Sequence, residues 1–312
     1  MIKIENLTKY YDATLAVDSV SFEVQKGEVV GFLGPNGAGK TTTMRIITCY
    51  LKPTSGKVTI EDFDIFEQPI EVRKRIGYLP ENCPLYPEMN VLDYLNYIAE
   101  LRQIPRAERS KRVREMIGVT SIGDVLHKDI GELSKGYRQR VGLAQAMVHD
   151  PEILILDEPT SGLDPNQIIE IRQLIRDIGR EKTIILSTHI LPEVSATCNR
   201  VLIINDARLI ASGTPDELVS RAQGAEVITA GIKGPEEAVF EALRQADFIA
   251  EFRKVREELA GEQSWLTLEI QGQGDQTSEK LFHLAVRQGW TLRELRLERL
   301  SLEEVFARLT TA

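Results

Sequence analysis

Val29–Ile47, VVGFLGPNGAGKTTTMRII, decides the fold. Val29–Leu33 is a short apolar run of strand type, and Met44, Ile46, Ile47 and Leu51 recur beyond it at helical spacing. Between them Gly34-Pro35-Asn36-Gly37-Ala38-Gly39-Lys40-Thr41 matches G-x-x-x-x-G-K-[ST] without a gap, in the strand–loop–helix order that a phosphate-binding loop requires. The glycines let backbone N–H groups turn inward around an anion, and a helix beginning near Lys40 adds the positive end of its dipole. The pattern puts Lys40 on the β- and γ-phosphates and the Thr41 hydroxyl on Mg²⁺. The alternative is a glycine turn that merely joins strand to helix. The run Thr41–Thr43 argues for a ligand, because Thr is a poor helix former and a bound phosphate compensates. Alone, the loop leaves kinase, GTPase and transport ATPase open.

The 312 residues are long for one core and suggest two domains. Apolar content of 42% and charged content of 27% are ordinary for a globular protein. A formal charge of −9 argues against a surface built for nucleic acid or anionic lipid. No apolar run approaches the roughly 18–20 residues that span a bilayer, and MIKIENLTKYYD lacks the apolar core of a signal peptide. Cys49, Cys83 and Cys198 are odd in number and widely spaced, as expected of reduced cytosolic thiols. A cytosolic protein is expected, unless another chain holds it at a membrane.

Residues 2–24 alternate in strand fashion around a loop at Tyr10–Thr14. Pro53–Gly56 is a loop followed by a strand at Lys57–Ile60, and Arg75–Leu79 reads as a short strand stopped by Pro80. From 90 to 149 the pattern becomes helical, with Asn90 placed to cap and Pro105 ending the first run. Strands Ile153–Leu156, Thr183–Ser187 and Val201–Ile204 then alternate with helices Asn166–Glu181 and Leu191–Cys198. All-apolar strands between amphipathic helices indicate a parallel sheet covered on both faces, an α/β fold of the P-loop NTPase type with a helical subdomain. Thr214–Glu217 is a capping box with Pro at the first helical position, and the expected domains are 1–220 and 221–312. The second reads β-α-β-β-α-β, a ferredoxin-like α+β arrangement, although 248–260 reads equally well as helix.

Ile153–Leu156 ends in Asp157 and Glu158, at the carboxyl end of a strand where open α/β sheets bind ligands. Asp157 suits Mg²⁺ held through water, and Glu158 suits polarising the water that attacks a γ-phosphate. Ser134 is a good N-cap for the helix after Leu133-Ser134-Lys135-Gly136-Tyr137. A capped helix start beside a Gly is also a second anion site, which suggests a further nucleotide held by a second copy of the chain.

These motifs, in this order, resemble the ATP-binding subunits of ATP-binding-cassette (ABC) transporters over roughly residues 1–220. The resemblance implies that Tyr11 stacks on adenine. It implies that Gly34, Asn36, Gly37, Gly39, Lys40, Thr41 and Thr42 hold the phosphates of ATP. Glu81 occupies the loop where the family usually carries Gln; it keeps an oxygen for Mg²⁺ or water but loses the amide donor and adds negative charge. Leu133–Tyr137 is similar to the family signature LSGGQ, with Lys135 and Tyr137 as departures, and Ser161–Asp164 matches the dimer-contact loop. His189 matches the switch histidine that senses the γ-phosphate. The implied mechanism closes two copies head-to-tail over two MgATP, each nucleotide lying between Lys40 of one subunit and Ser134 and Gly136 of the other. Hydrolysis by Glu158-directed water reopens the pair.

Gly34–Arg45 (GPNGAGKTTTMR), Ile76–Glu81 (IGYLPE) and Ser301–Thr310 (SLEEVFARLT) look most like the ABC-2 branch. These are single-domain ATPases serving separately encoded permeases, often exporters, and Gly77–Tyr97 is similar to the gliding-motility type. The resemblance implies a homodimeric ATPase docked peripherally on the cytoplasmic face of a membrane permease, through 90–149 and the Glu81 loop. The rival is a soluble ATP switch of the same fold acting on ribosomes or DNA. Such proteins tend to carry two cassettes or long coiled coils, neither of which is present here, and the acidic balance suits no nucleic acid. A GTPase motif N/T-K-x-D is also missing at the required place.

Overall fold

The hairpin of β1 (Ile2–Tyr11) and β2 (Thr14–Val24) begins with Ile2 opposite Val24 and buries Ile2, Ile4, Val20 and Val24. The computed structural model describes residues 1–223, 226–260, 263–273, 276–298 and 301–310. Two compact units make up the chain, Met1–Pro215 and Asp216–Ala312.

In the first unit β3 (Val29–Leu33) is buried at every residue and runs through the phosphate loop into α1 (Lys40–Ile47). β4 (Ser55–Ile60) and β5 (Phe63–Asp64) extend the hairpin into a four-stranded antiparallel sheet, order β2-β1-β4-β5. α2 (Pro69–Arg75) leads into β6 (Ile76–Leu79), and α3 (Val91–Leu101), α4 (Arg106–Thr120) and α5 (Lys135–Met147) form the helical insertion. β7 (Ile153–Asp157), α6 (Pro165–Gly179), β8 (Thr183–Thr188), α7 (Leu191–Thr197), β9 (Arg200–Asn205) and β10 (Arg208–Gly213) complete the unit. The main sheet has the order β10-β9-β3-β8-β7-β6, parallel except for the β10 edge.

Period-two geometry divides the core between the two faces of that sheet. Leu154, Leu156, Ile184 and Leu186 point toward Leu95, Ile98 and Leu143 of the helical insertion. Ile153, Ile155, Ile185, Val30 and Phe32 pack with Met44 and Ile46 of α1 and with the antiparallel sheet. Both faces being covered, the strands are continuously apolar, and the parallel register sets their carboxyl ends side by side. Leu33 pairs with Thr188 and Asp157 with Ser187. The loops after β3, β7 and β8 therefore meet at one edge.

Among the strands and α-helices, β5, α2 and β10 went unread in the sequence, β5 being only two residues long. α2 buries only Val72, so seven residues display no helical periodicity. β10 is an edge strand with one buried residue, Gly213. Asn90 caps α3 by accepting from the Asp93 N–H at 2.9 Å.

α8 (Pro215–Gln223) starts at the last residue of the first unit, and the second unit holds the rest of it with β11 (Val227–Gly234), α9 (Glu236–Gln245), β12 (Ile249–Ala260), β13 (Gln263–Gly272), α10 (Thr277–Arg287), β14 (Thr291–Glu298) and α11 (Leu302–Thr310). Its antiparallel sheet, order β12-β13-β11-β14, is the βαββαβ arrangement expected from the sequence. The stretch that also read as helix is strand β12, paired along β13 with an Arg253–Glu269 ion pair of 2.7 Å across the two strands. Ile228, Ile232, Leu266 and Ile270 bury one face against Val239 and Leu281. Among the described residues no helix is long and apolar enough to cross a membrane.

His149 follows α5, and its Nε2 lies 3.1 Å from the Ile76 carbonyl of β6. Burial, and then the nearby Arg102 charge, push its pKa down from 6.5 to about 4. The folded chain thus refuses a proton that the unfolded chain accepts. Stability is complete above pH 6.5 and falls toward pH 4, by about 3 kcal/mol from this group. Urea midpoints measured at pH 7.5 and pH 4.5 are expected to fall less in His149→Gln than in the parent; equal losses contradict the assignment.

Candidate functional site

The phosphate loop folds as it does because two glycines stand where side chains have no room. Gly39 caps α1 at φ 106°, and a Cβ there would lie 2.4 Å from the Ala16 carbonyl oxygen. A Cβ on Gly34 would lie 2.4 Å from the Ile204 carbonyl oxygen. Lys40 is consequently drawn inward to 6% exposure, where its Nζ donates to Gly34 O at 2.8 Å and Pro35 O at 3.3 Å.

Asp157 is completely buried at the end of β7. Its Oδ1 accepts from Thr41 Oγ1 at 3.3 Å and from the Ser187 hydroxyl. Its Oδ2 has no hydrogen-bond partner. A buried carboxylate oxygen left bare is costly. Beside a threonine hydroxyl it suits a hard divalent cation, which prefers oxygen ligands. Thr41 and Asp157 therefore fit Mg²⁺. Among the described residues no group of three or more His, Cys, Asp or Glu gathers to hold a metal by itself.

Glu158 has φ 49°, a left-handed conformation, and its N–H donates to Ser187 O at 3.0 Å and Ser187 Oγ at 3.2 Å. Its side chain lies between two cationic or potentially cationic groups. Oε1 is 3.4 Å from Lys40 Nζ, and Oε2 is 2.9 Å from His189 Nδ1. Asn36, Gly37, Gly39, Lys40, Thr41, Thr42, Glu81, Glu158, Ser161 and His189 line one cleft of about 410 Å³. Residues from four loops thus converge, with Asp157 behind them.

The other expected residues lie apart. Tyr11 is exposed at the end of β1, with Lys9 Nζ 5.3 Å from its ring centre. Ser134 caps α5 by accepting from the Tyr137 N–H at 3.3 Å. Ser134 and Gly136 line a different groove, of about 730 Å³, together with Tyr137, Arg140 and Gln167. Asp164 caps α6, accepting from Asn166 N and Gln167 N at 3.1 and 3.0 Å. Lys135 lays its amine against Gly162, where a Cβ would sit 2.3 Å from Nζ. Ser187, which bridges Asp157 and the Glu158 backbone, was missed in the sequence; a hydroxyl closing an apolar strand next to His189 was the available signal. Burial pushes Cys49 up to about 11 and Cys83 and Cys198 up to about 12, so none is a poised thiolate.

Residues 17–161 match the family model described as ABC transporter. Over 205 residues the chain is 41% identical to the ABC transporter ATP-binding protein NatA of Bacillus subtilis (strain 168), covering 65% of this chain and 83% of that protein. It is 33% identical over 247 residues to the linearmycin resistance ATP-binding protein LnrL of the same organism, covering 78% and 79%. A solved dimeric ATP-binding cassette, bound to ADP and Pi in a post-hydrolysis state, is similar with a TM-score of 0.63 at 27% identity, covering 69% of this chain and 98% of that one. With its phosphate loop, buried aspartate and glutamate–histidine pair at the shared sheet edge, the chain belongs to the ABC transporter family as one of its ATP-binding subunits.

Proposed function

We propose that this chain hydrolyses ATP as the cytoplasmic motor of an ABC-2-type exporter, working as a head-to-tail homodimer bound to a separate membrane permease. The observation that carries the reading is the separation of two half-sites. Lys40 and Glu158 line one cleft, while Ser134 and Gly136 open into another groove of the same chain. A second copy turned end to end supplies the missing wall to each. ATP binds that closed state better than the open one and drives closure by the difference.

Within a pocket, Lys40 exchanges the Gly34 and Pro35 carbonyls for the β- and γ-phosphate oxygens, and the N–H groups of Gly37–Thr42 receive the rest of the chain of phosphates. Mg²⁺ held by Thr41 and Asp157 would neutralise charge on the phosphate oxygens. Glu81, at the rim of the cleft, would offer a carboxylate oxygen to water or to Mg²⁺. Moving Lys40 onto phosphate releases Glu158 Oε1, which then accepts a proton from the attacking water while His189 holds Oε2 and donates toward the γ-phosphate. Tyr11 stacks on the base, and Asp164 fixes the loop that meets the twin subunit.

Docking is assigned to a groove of about 810 Å³ between the Glu81 loop and the helical insertion, lined by Arg73, Lys74, Tyr86, Ile98, Leu101 and Arg102 among others. Leu101 is 62% exposed and Tyr86 46%, a density of uncovered apolar surface that suits a partner. Tyr86→Glu combined with Leu101→Glu is expected to abolish co-purification of an integral membrane protein from detergent extracts while ATP affinity stays unchanged. Undiminished co-purification contradicts the docking face.

A further inference from the structure

Glu193 is a carboxylate with 1% exposure on α7, and the chemistry above leaves it without a role. Its Oε1 accepts from Thr160 Oγ1 at 2.5 Å, and its Oε2 from Thr188 Oγ1 at 2.9 Å. Arg172 of α6 brings a guanidinium nitrogen to 3.6 Å from Oε1. Thr160 stands two residues after Glu158 and opens the Ser161–Asp164 loop, whereas Thr188 immediately precedes His189. The 2.9 Å contact of His189 with Glu158 closes a ring of bonds through both loops.

Burying a carboxylate costs several kcal/mol unless partners offset it. A residue that only filled space beneath α7 would be apolar. We infer that Glu193 is a positioning residue that ties the loop of Glu158 to the loop of His189, so that the two groups facing the attacking water move as one body. The inference rests on the roles proposed for Glu158 and His189. Glu158 adopts a backbone conformation sparsely populated by non-glycine residues, which persists only where the surroundings hold it. Without the Glu193 bridge the loop relaxes and the Glu158–His189 contact opens. The phosphate cradle, built from backbone on the other side of the cleft, is unaffected. Through Thr160 the same carboxylate also transmits displacement of Ser161–Asp164 to the pair.

In the full chain, Glu193→Ala is expected to lower kcat roughly 10- to 100-fold, the effect of a misplacement of about 1 Å, while the Kd of a fluorescent ATP analogue stays within about threefold of the parent. Glu193→Gln retains one acceptor and one donor for the two threonines and is expected to keep most of kcat. A readout independent of turnover is the ¹³C-labelled imidazole of His189, whose chemical shift should respond to Glu158→Gln in the parent and not in Glu193→Ala. A kcat within about twofold of the parent in Glu193→Ala, a parallel loss of kcat and ATP affinity, or an unchanged imidazole response overturns the inference. If the parental chain hydrolyses no ATP, the proposed function fails, and the imidazole response still decides the role of Glu193.

Discussion

Glu158→Gln is expected to slow phosphate release by 10²–10⁴-fold, on the order of what a lost general base costs, and to leave a MgATP-bound dimer that does not separate. Gln has the shape of Glu and still offers an oxygen to His189 Nδ1, so the cleft keeps its geometry. What disappears is the proposed proton acceptor for water, together with a negative charge 3.4 Å from Lys40 Nζ. With that competitor gone, Lys40 is freer to bind phosphate, and ATP affinity holds or rises. Size-exclusion chromatography with MgATP, run beside a phosphate-release assay, separates the two effects. A variant that stays monomeric and turns over at the parental rate removes Glu158 from the mechanism.

The second large effect concerns the opposite wall. Ser134→Asp combined with Gly136→Asp keeps a competent cap on α5, because Asp caps as well as Ser. The side chain added at position 136 meets the far end of Gln167, which is able to yield. Folding is therefore expected to be retained, whereas in the proposed dimer carboxylates then face the γ-phosphate bound by the twin subunit. Losing charge-assisted anion contacts worth about 1.5–3 kcal/mol each and adding repulsion should lower ATP turnover by roughly 10²-fold. ATP binding to the monomer, made by Gly34–Thr42, should be unaffected. Normal turnover by the double variant contradicts a pocket completed in trans.

How much of this was legible in the sequence follows the range of the interactions. The phosphate loop is local: spacing, glycines and a flanking apolar strand specify it within twenty residues, and Gly39 stands at φ 106°, a conformation that favours glycine. Parallel strands were readable because burial on both faces makes Ile153–Leu156 and Val30–Leu33 continuously apolar. The convergence of Lys40, Glu81, Glu158 and His189 on one cleft became readable only through motif order, since the adjacency of β3, β7 and β8 is long-range. α2 was invisible because one buried valine makes no period. Glu193, Thr160 and Ser187 were invisible for a different cause: a buried carboxylate on a short helix looks like any exposed glutamate until its partners, five and thirty-three residues away, are known.

The shared pocket is tested most directly by mixing two defective proteins. On the proposed arrangement Lys40→Ala lacks the phosphate cation, and Ser134→Asp with Gly136→Asp lacks the opposing wall, so each homodimer has two broken sites. Their heterodimer joins the intact Lys40 of one chain to the intact Ser134 and Gly136 of the other in one of its two pockets. Recovery of ATP hydrolysis on mixing, absent from either protein alone, is the expected result. Mixtures no more active than their components, with heterodimers shown to form, contradict a pocket built from two chains.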